Sequence, residues 1–115
     1  MRVVVSLRQI STYADRFRVF LELSNHVEQL VLITDHVDEE SRALAQGFPH
    51  FEFVEIGLKY YAKESTQWLV HHVVQSSKPT IVHSTFGHLV RFFEMYGGVP
   101  NRSFRLVHSQ YTANH

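Results

Sequence analysis

The chain alternates short aliphatic runs with longer segments of helical spacing, and this alternation limits the folds open to it. The first run, Arg2 to Ser6, reads R-V-V-V-S without any polar alternation. Such a run predicts a strand covered on both faces, as in a parallel sheet. Similar runs end at Ile33, Ile56, Ser84 and His108. We therefore expect a doubly wound, Rossmann-like α/β domain with about five parallel strands, helices on both faces and the strand order 3-2-1-4-5.

Four helical segments are expected between these runs. The first should begin at a Ser11 or Thr12 cap. The others should span residues 37–46, 62–77 and 86–96. In the last of them, Leu89, Val90, Phe93 and Met95 are expected to face the core.

The adjacent histidines His71 and His72 lie inside the third expected helix. Neighbouring residues of a helix point to different faces, so we expect one ring in the core and the other in solvent. The two cannot form a single site.

Length and composition indicate one globular domain, and its balanced charge indicates no highly charged binding partner. At 115 residues, 44% of them apolar, the chain can bury a core. Its 11 basic and 11 acidic residues cancel, which disfavours nucleic-acid binding. Cysteine is absent, which excludes disulfide and thiolate chemistry. Arg8 interrupts the first apolar run too early for a signal peptide, and we expect a cytoplasmic protein, with contact at the inner membrane surface left open.

A ligand site is expected at the carboxyl ends of the strands, where the strand order reverses. With the predicted order, this place lies between the first and fourth strands. The loop after the first strand carries the candidate ligand-binding residues Arg8, Ser11, Thr12, Tyr13 and Arg16. It contains no glycine, which disfavours dinucleotide and P-loop binding. We therefore expect no cofactor, although a phosphate at the helix terminus could still be assisted by an arginine.

Histidines mark the ends of the fourth and fifth strands. His83 is followed by Ser84 and His88, and His108 ends the neighbouring strand. An imidazole there could act as a general base or contact sugar hydroxyls; the alternative is a histidine satisfied by a backbone carbonyl. Three histidines with an open position would suit zinc. No carboxylate stands nearby to orient such ligands, and no metal is expected.

Three segments carry a resemblance to a known family. They are T-Y-A-D-R-F-R-V-F-L-E-L-S at residues 12–24, K-P-T-I-V-H-S at 78–84 and V-P-N-R-S-F-R-L-V-H-S at 99–109. Together they resemble the amino-terminal domain of GT-B glycosyltransferases of the family 4-like group. The sequence departs from the family at Thr12-Tyr13, which replaces a Gly-Gly pair. As a consequence, Tyr13 would crowd the space that the family uses for the donor phosphate.

The resemblance implies transfer of a sugar from a nucleotide-sugar to an acceptor hydroxyl, without a metal. The donor would bind in a carboxyl-terminal domain that these residues do not include, and this fragment alone would be inactive. His83 and His108 would lie near the reacting hydroxyl. The loop residues above, with Ser84 and His88, would contact substrate. A second alignment makes the strand of His108 a later family element, so its sugar contact stays open.

Other functions remain open from the sequence alone. A free-standing flavodoxin-like domain with a regulatory or interaction role needs no catalytic residue. A small hydrolase or isomerase would need His83 together with Asp35 or Asp15, and nothing in the sequence brings these together. The donor sugar, the acceptor and the oligomeric state are likewise open.

Overall fold

The computed structural model describes residues 1–85, 89–97 and 103–109, with side chains as far as residue 107. Its five strands form one sheet in the order β3-β2-β1-β4-β5. Every neighbouring pair is parallel. The strands are β1 (Arg2–Ser6), β2 (Gln29–Thr34), β3 (Phe51–Glu55), β4 (Thr80–Thr85) and β5 (Phe104–Ser109). The predicted fold class and strand order are confirmed.

Four α-helices connect these strands. They are α1 (Ala14–Ser24), α2 (Glu39–Ala45), α3 (Tyr61–Leu69) and α4 (Val90–Tyr96). A 3₁₀ turn over Leu58–Tyr60 precedes α3, and a π-turn over Val70–Val74 extends it. Within the described part of the chain, no helix has the length and apolar character needed to cross a membrane.

The core has two layers, one on each face of the sheet. Val3 and Val5 face α1, where they pack with Phe17 and Phe20. Val4 faces the opposite layer, where Leu69 of α3, Val73 of the π-turn, and Leu89 and Phe92 at the start of α4 pack together. All five residues of β1 are buried, because helices cover both faces of the central strand. This is the arrangement that the unalternated aliphatic run predicts.

The predicted cap of α1 is wrong. The helix begins at Ala14 after Tyr13, and no side chain caps it. The preceding residues form a turn in which the amide of Tyr13 donates to the carbonyls of Gln9 and Ile10, at 3.2 and 3.1 Å. The Thr12 hydroxyl donates instead to the Gln9 side chain at 3.4 Å. Because residues 9–13 form this turn, neither Ser11 nor Thr12 stands directly before the first residue of the helix.

The second helix is shorter than residues 37–46 because Asp38 caps it. The Asp38 carboxylate accepts a hydrogen bond from the amide of Ser41 at 2.7 Å, the usual N-cap geometry. Val37 is buried outside the helix. The bond to Ser41 also lowers the pKa of Asp38, since it favours the charged carboxylate.

Both adjacent histidines are exposed, so the predicted division between core and solvent is wrong. His71 and His72 lie in the π-turn, where the amide of Gln75 donates to the carbonyl of Val70 at 3.2 Å. The His72 ring stacks on Trp68 at 4.5 Å with an interplanar angle of 27°. The wider turn changes the helical period on which the prediction relied.

The inward face of α4 also differs from the prediction. Phe92 is fully buried, and Leu89 is 1% exposed. Val90 and Met95, which were expected to face inward, are 52% and 54% exposed. The predicted inward positions of Leu89 and Phe93 are confirmed, since both pack with Phe92 in the same core layer.

Glu55 connects the end of β3 to the loop that precedes α2. Its Oε2 atom accepts from the amide of Val37 at 2.8 Å and lies 3.2 Å from Nδ1 of His36. Its Oε1 atom lies 3.2 Å from the Arg42 guanidinium. The hydrogen bond from the Val37 amide is the largest cause that holds the pKa of Glu55 below its usual range, and Arg42 and His36 lower it further.

This arrangement predicts an acid-dependent contribution to stability. A carboxyl group with a lowered folded-state pKa stabilises the fold above its unfolded pKa, and this stability is lost as pH falls through the folded pKa. We expect Glu55→Gln to lower the melting temperature by a few degrees at about pH 7, and by much less at about pH 3.

Thermal unfolding followed by circular dichroism at the two pH values measures this effect. Glu22→Gln is the matched control, because Glu22 lies exposed on α1 and should change little at either pH. An equal loss at both pH values for Glu55→Gln would contradict the role of its charge.

Candidate functional site

The tips of the three central strands are joined at the edge where the strand order reverses. Ser6 pairs in register with Ser84, and the hydroxyl of Thr85 donates a hydrogen bond to the carbonyl of Ser6. On the other side of β1, the amide of Leu7 donates to the carbonyl of Ile33 at 2.9 Å. The carboxyl ends of β2, β1 and β4 are therefore bonded to one another along this edge.

A buried group of hydroxyls lies at the ends of β1 and β2, on the face of the sheet that α3 covers. The Tyr61 hydroxyl donates to the carbonyl of Ile33 at 2.8 Å. The Ser6 hydroxyl lies 2.8 Å from the Tyr61 hydroxyl oxygen. Because the phenol gives its one proton to the carbonyl, Ser6 donates to Tyr61. Ser65 is fully buried beside them; its Oγ atom lies near enough to influence Tyr61 but makes no well-formed hydrogen bond. We call Ser6, Tyr61 and Ser65 the hydroxyl cluster.

The hydroxyl cluster stays protonated at ordinary pH. Burial is the main cause that raises the pKa of Tyr61, because the phenolate would lose its hydration. Asp35 raises the pKa further, and Arg8 opposes this effect. The cluster is therefore neutral, and both charged side chains lie within electrostatic reach of it.

A cavity with a volume of about 610 Å³ follows the beginning of α1. We call it the α1 cavity. It includes three of the predicted ligand-binding residues, Thr12, Tyr13 and Arg16. The other described residues that line it are Ala14, Asp15, Val19 and Phe20. Ser11 is exposed and lies outside this lining.

His83 lies on the same face of the sheet as the α1 cavity. It is half-buried, and its ring contacts Phe20 edge-on at 5.8 Å. Its register partners are Val5 and Val107. Phe20 also lines the α1 cavity, so one aromatic side chain contacts both the predicted catalytic histidine and the predicted substrate site.

Ser84 lies on the opposite face from His83, because successive residues of a strand alternate. It is 1% exposed, and its Oγ atom accepts a hydrogen bond from the amide of Leu89 at 3.3 Å. A smaller cavity of about 360 Å³ lies there, lined also by Val90, Phe93 and Glu94. Ser84 therefore supports the approach to α4 and does not share the α1 cavity.

Two predicted histidines cannot be compared with the structure in the same way. His88 and the side chain of His108 lie outside the described residues. The backbone of His108 pairs with Ser84 in register. Among the residues whose side chains are described, no three histidine or carboxylate groups are close enough to hold a metal ion.

Arg8 lies apart from the other predicted loop residues. Its carbonyl accepts from the amide of Asp35 at 3.0 Å and from the hydroxyl of Thr34 at 3.1 Å. Both charged residues are half-buried and both influence Tyr61. Arg8 therefore joins the ends of β1 and β2 near the hydroxyl cluster, and it does not line the α1 cavity.

Neither Asp35 nor Tyr61 was predicted to bind a ligand at this edge; Asp35 was considered only as a partner of His83 in a hydrolase or isomerase. Asp35 could have been found, because it directly follows β2, where the parallel strands end together. Tyr61 gave no such signal, since the 3₁₀ turn over Leu58–Tyr60 brings it back over the sheet. Its partners stand 28 and 55 positions away in the sequence.

Comparison with known proteins gives no relative. No family model, no curated protein and no solved structure matches this chain. Any function must therefore be inferred from its own residues and fold.

The hydroxyl cluster predicts a specific loss of stability in Tyr61→Phe. This variant keeps the ring but leaves the buried Ser6 hydroxyl without its partner. It also removes one of the two hydrogen bonds to the Ile33 carbonyl, which keeps the amide of Leu7. We expect a loss of about 1–3 kcal/mol in the free energy of unfolding, as for buried polar groups left unsatisfied. Urea denaturation measures it.

The neighbouring Tyr60→Phe is the matched control, because Tyr60 is 52% exposed and should change the unfolding free energy little. Equal losses in the two variants would contradict the assigned hydrogen bonds.

Proposed function

We propose that this chain is the acceptor-side domain of a glycosyltransferase that moves a sugar from a nucleotide-sugar to an acceptor hydroxyl. The observation that carries the proposal is the α1 cavity, where Thr12, Tyr13 and Arg16 surround a space beside Phe20 and His83. Hydroxyl, phenol and guanidinium groups around an aromatic ring suit a polar, uncharged ligand such as a sugar. The resemblance of residues 12–24 and 78–84 to the GT-B family points the same way.

The start of α1 supports an acceptor better than a donor diphosphate. A dinucleotide fold opens its first helix with glycines, so that backbone amides can approach the pyrophosphate. Here Tyr13 occupies the position before the helix and lines the cavity. We infer that the diphosphate binds in a separate donor domain, either in the same polypeptide or in a partner.

In the proposed reaction, the acceptor oxygen forms a bond to the anomeric carbon of the donor sugar. The bond from that carbon to the diphosphate breaks, and the nucleoside diphosphate leaves. His83 accepts the proton of the acceptor hydroxyl as a general base, reached when the Phe20 ring turns aside. Arg16 donates hydrogen bonds that orient the acceptor, and the donor domain stabilises the departing charge.

The proposed partners follow from this chemistry. They are the nucleotide-sugar, the acceptor and the donor domain, and no nucleic acid is among them. We place the enzyme in the cytoplasm, with an acceptor reached in solution or at the inner membrane surface. No metal or cofactor takes part.

A non-catalytic interaction domain is the second candidate, and exposed apolar side chains favour it. Val90 and Met95 on α4 are 52% and 54% exposed, and Val107 on the outer strand β5 is 44% exposed. In the transferase these side chains would meet the donor domain. In a regulatory domain they would meet an unrelated protein.

The test uses the chain together with its donor domain and measures release of nucleoside diphosphate from nucleotide-sugars with a panel of acceptors. We expect His83→Ala to reduce turnover at least about tenfold, since a positioned general base contributes that much or more. Because His83 is half-buried, the folded state of the variant is checked by its thermal melt.

His26→Ala is the matched control, because His26 is exposed in the turn after α1 and should leave turnover unchanged. Unchanged turnover in a folded His83→Ala variant would remove His83 from the mechanism. Absence of any transfer with every donor and acceptor would favour the interaction domain.

A further inference from the structure

Arg8 and Asp35 form a second polar feature at the carboxyl edge, separate from the α1 cavity. The amide of Asp35 donates to the carbonyl of Arg8 at 3.0 Å. Arg8 is the second residue after β1 and Asp35 the first after β2, and this bond holds their backbones side by side. Their side chains of opposite charge therefore start from neighbouring points on the same edge.

Neither charged group has a partner within the described part of the chain. The guanidinium of Arg8 and the carboxylate of Asp35 form no ion pair with each other and no hydrogen bond to the described residues. The Nε atom of Arg8 is shielded from solvent without an acceptor. A buried donor without an acceptor costs about 1–3 kcal/mol, so such groups usually have a ligand or water to bond.

The hydroxyl cluster near Arg8 and Asp35 is polar and uncharged. Both side chains act on the electrostatic environment of the Tyr61 hydroxyl, which lies beside the fully buried Ser65 with its unpartnered Oγ atom. Arg8 and Asp35 therefore lie within electrostatic reach of the hydroxyl cluster.

We propose that Arg8 and Asp35 bind adjacent hydroxyl groups of a neutral polyol, such as a vicinal diol of a sugar or cyclitol, at the tips of β1 and β2. Arg8 donates to one oxygen and Asp35 accepts from the next. The opposite charges stand farther apart than in a direct ion pair, so a ligand with both donors and acceptors can bridge them.

The charge balance selects a neutral ligand over an anion. A phosphate would gain from Arg8 but be repelled by Asp35 at the same edge, whereas a diol satisfies both residues without net charge. The proposal extends beyond the transferase reaction, because neither Arg8 nor Asp35 is among the described residues that line the α1 cavity. This second site would select ligands by their hydroxyl pattern whether or not the α1 cavity takes part in transfer.

Titration of the ¹⁵N-labelled chain with myo-inositol tests the proposal by NMR. We expect shifts of the Arg8 Nε–H signal and of the amides of Leu7, Asp35 and His36. Trans-1,4-cyclohexanediol, which has the same ring but no adjacent hydroxyls, and inorganic phosphate are the control ligands and should leave these signals nearly unchanged.

Two variants assign the contacts. Arg8→Met and Asp35→Asn should each weaken inositol binding by about tenfold, the usual effect of losing a hydrogen bond to a charged group. Arg18→Met, at an exposed position on α1, is the matched control and should bind as the unaltered chain does. Amide spectra confirm that each variant is folded, and Asp35→Asn tests the site should Arg8→Met unfold.

The outcomes separate this site from the proposed transferase site. Shifts confined to residues 12–20 would overturn the Arg8–Asp35 proposal while supporting a ligand in the α1 cavity. Stronger shifts with phosphate than with inositol would overturn the choice of a neutral ligand. No shift with any probe, or unaltered binding by both variants, would also reject the proposal.

Discussion

Burial of β1 on both faces is the constraint on which the rest of the structure depends. The two polar residues of this strand lie at its ends, on the face toward α3. At the amino end, Arg2 donates to the carbonyl of His72 at 2.7 Å; at the carboxyl end, Ser6 bonds to the Tyr61 hydroxyl. One short strand thereby contacts both the beginning of α3 and the π-turn that extends it. These two bonds fix the length and direction of the crossover from β3 to β4. They therefore also fix the edge of the sheet at which both candidate sites lie.

The sheet could be predicted because its signals are local and its connections are restricted. Aliphatic runs without alternation identify strands covered on both faces, and right-handed crossovers leave few strand orders. The helix ends were predicted less well. Ser11 and Thr12 had the residue types of a cap, but the turn before Tyr13 took up the chain instead. On α4, Leu89 and Phe93 were correctly predicted to face the core, whereas the apolar residues Val90 and Met95 are exposed.

The candidate site was predicted by its location in the fold, and only partly by its grouping of residues. His83 and Ser84 were assigned to one site because they are adjacent, yet the alternation of a strand sends them to opposite layers. Arg8 was grouped with Tyr13 because both follow β1, whereas its carbonyl is bonded to the end of β2. Asp35 joins Arg8 through a hydrogen bond between distant parts of the chain, and spacing in the sequence carries no record of such a bond.

The π-turn at Val70–Val74 has a consequence for how far the third helix can follow the sheet. Its buried residues Tyr61, Ser65, Leu69 and Val73 recur at every fourth position. In a regular α-helix, four residues overshoot one full turn by about 40°, so such a stripe winds steadily away from a flat surface. The wider final turn advances by a smaller angle per residue, which offsets part of this rotation before Val73. The π-turn thus lets the buried stripe continue beyond α3, with Val73 in the same core layer as Leu69.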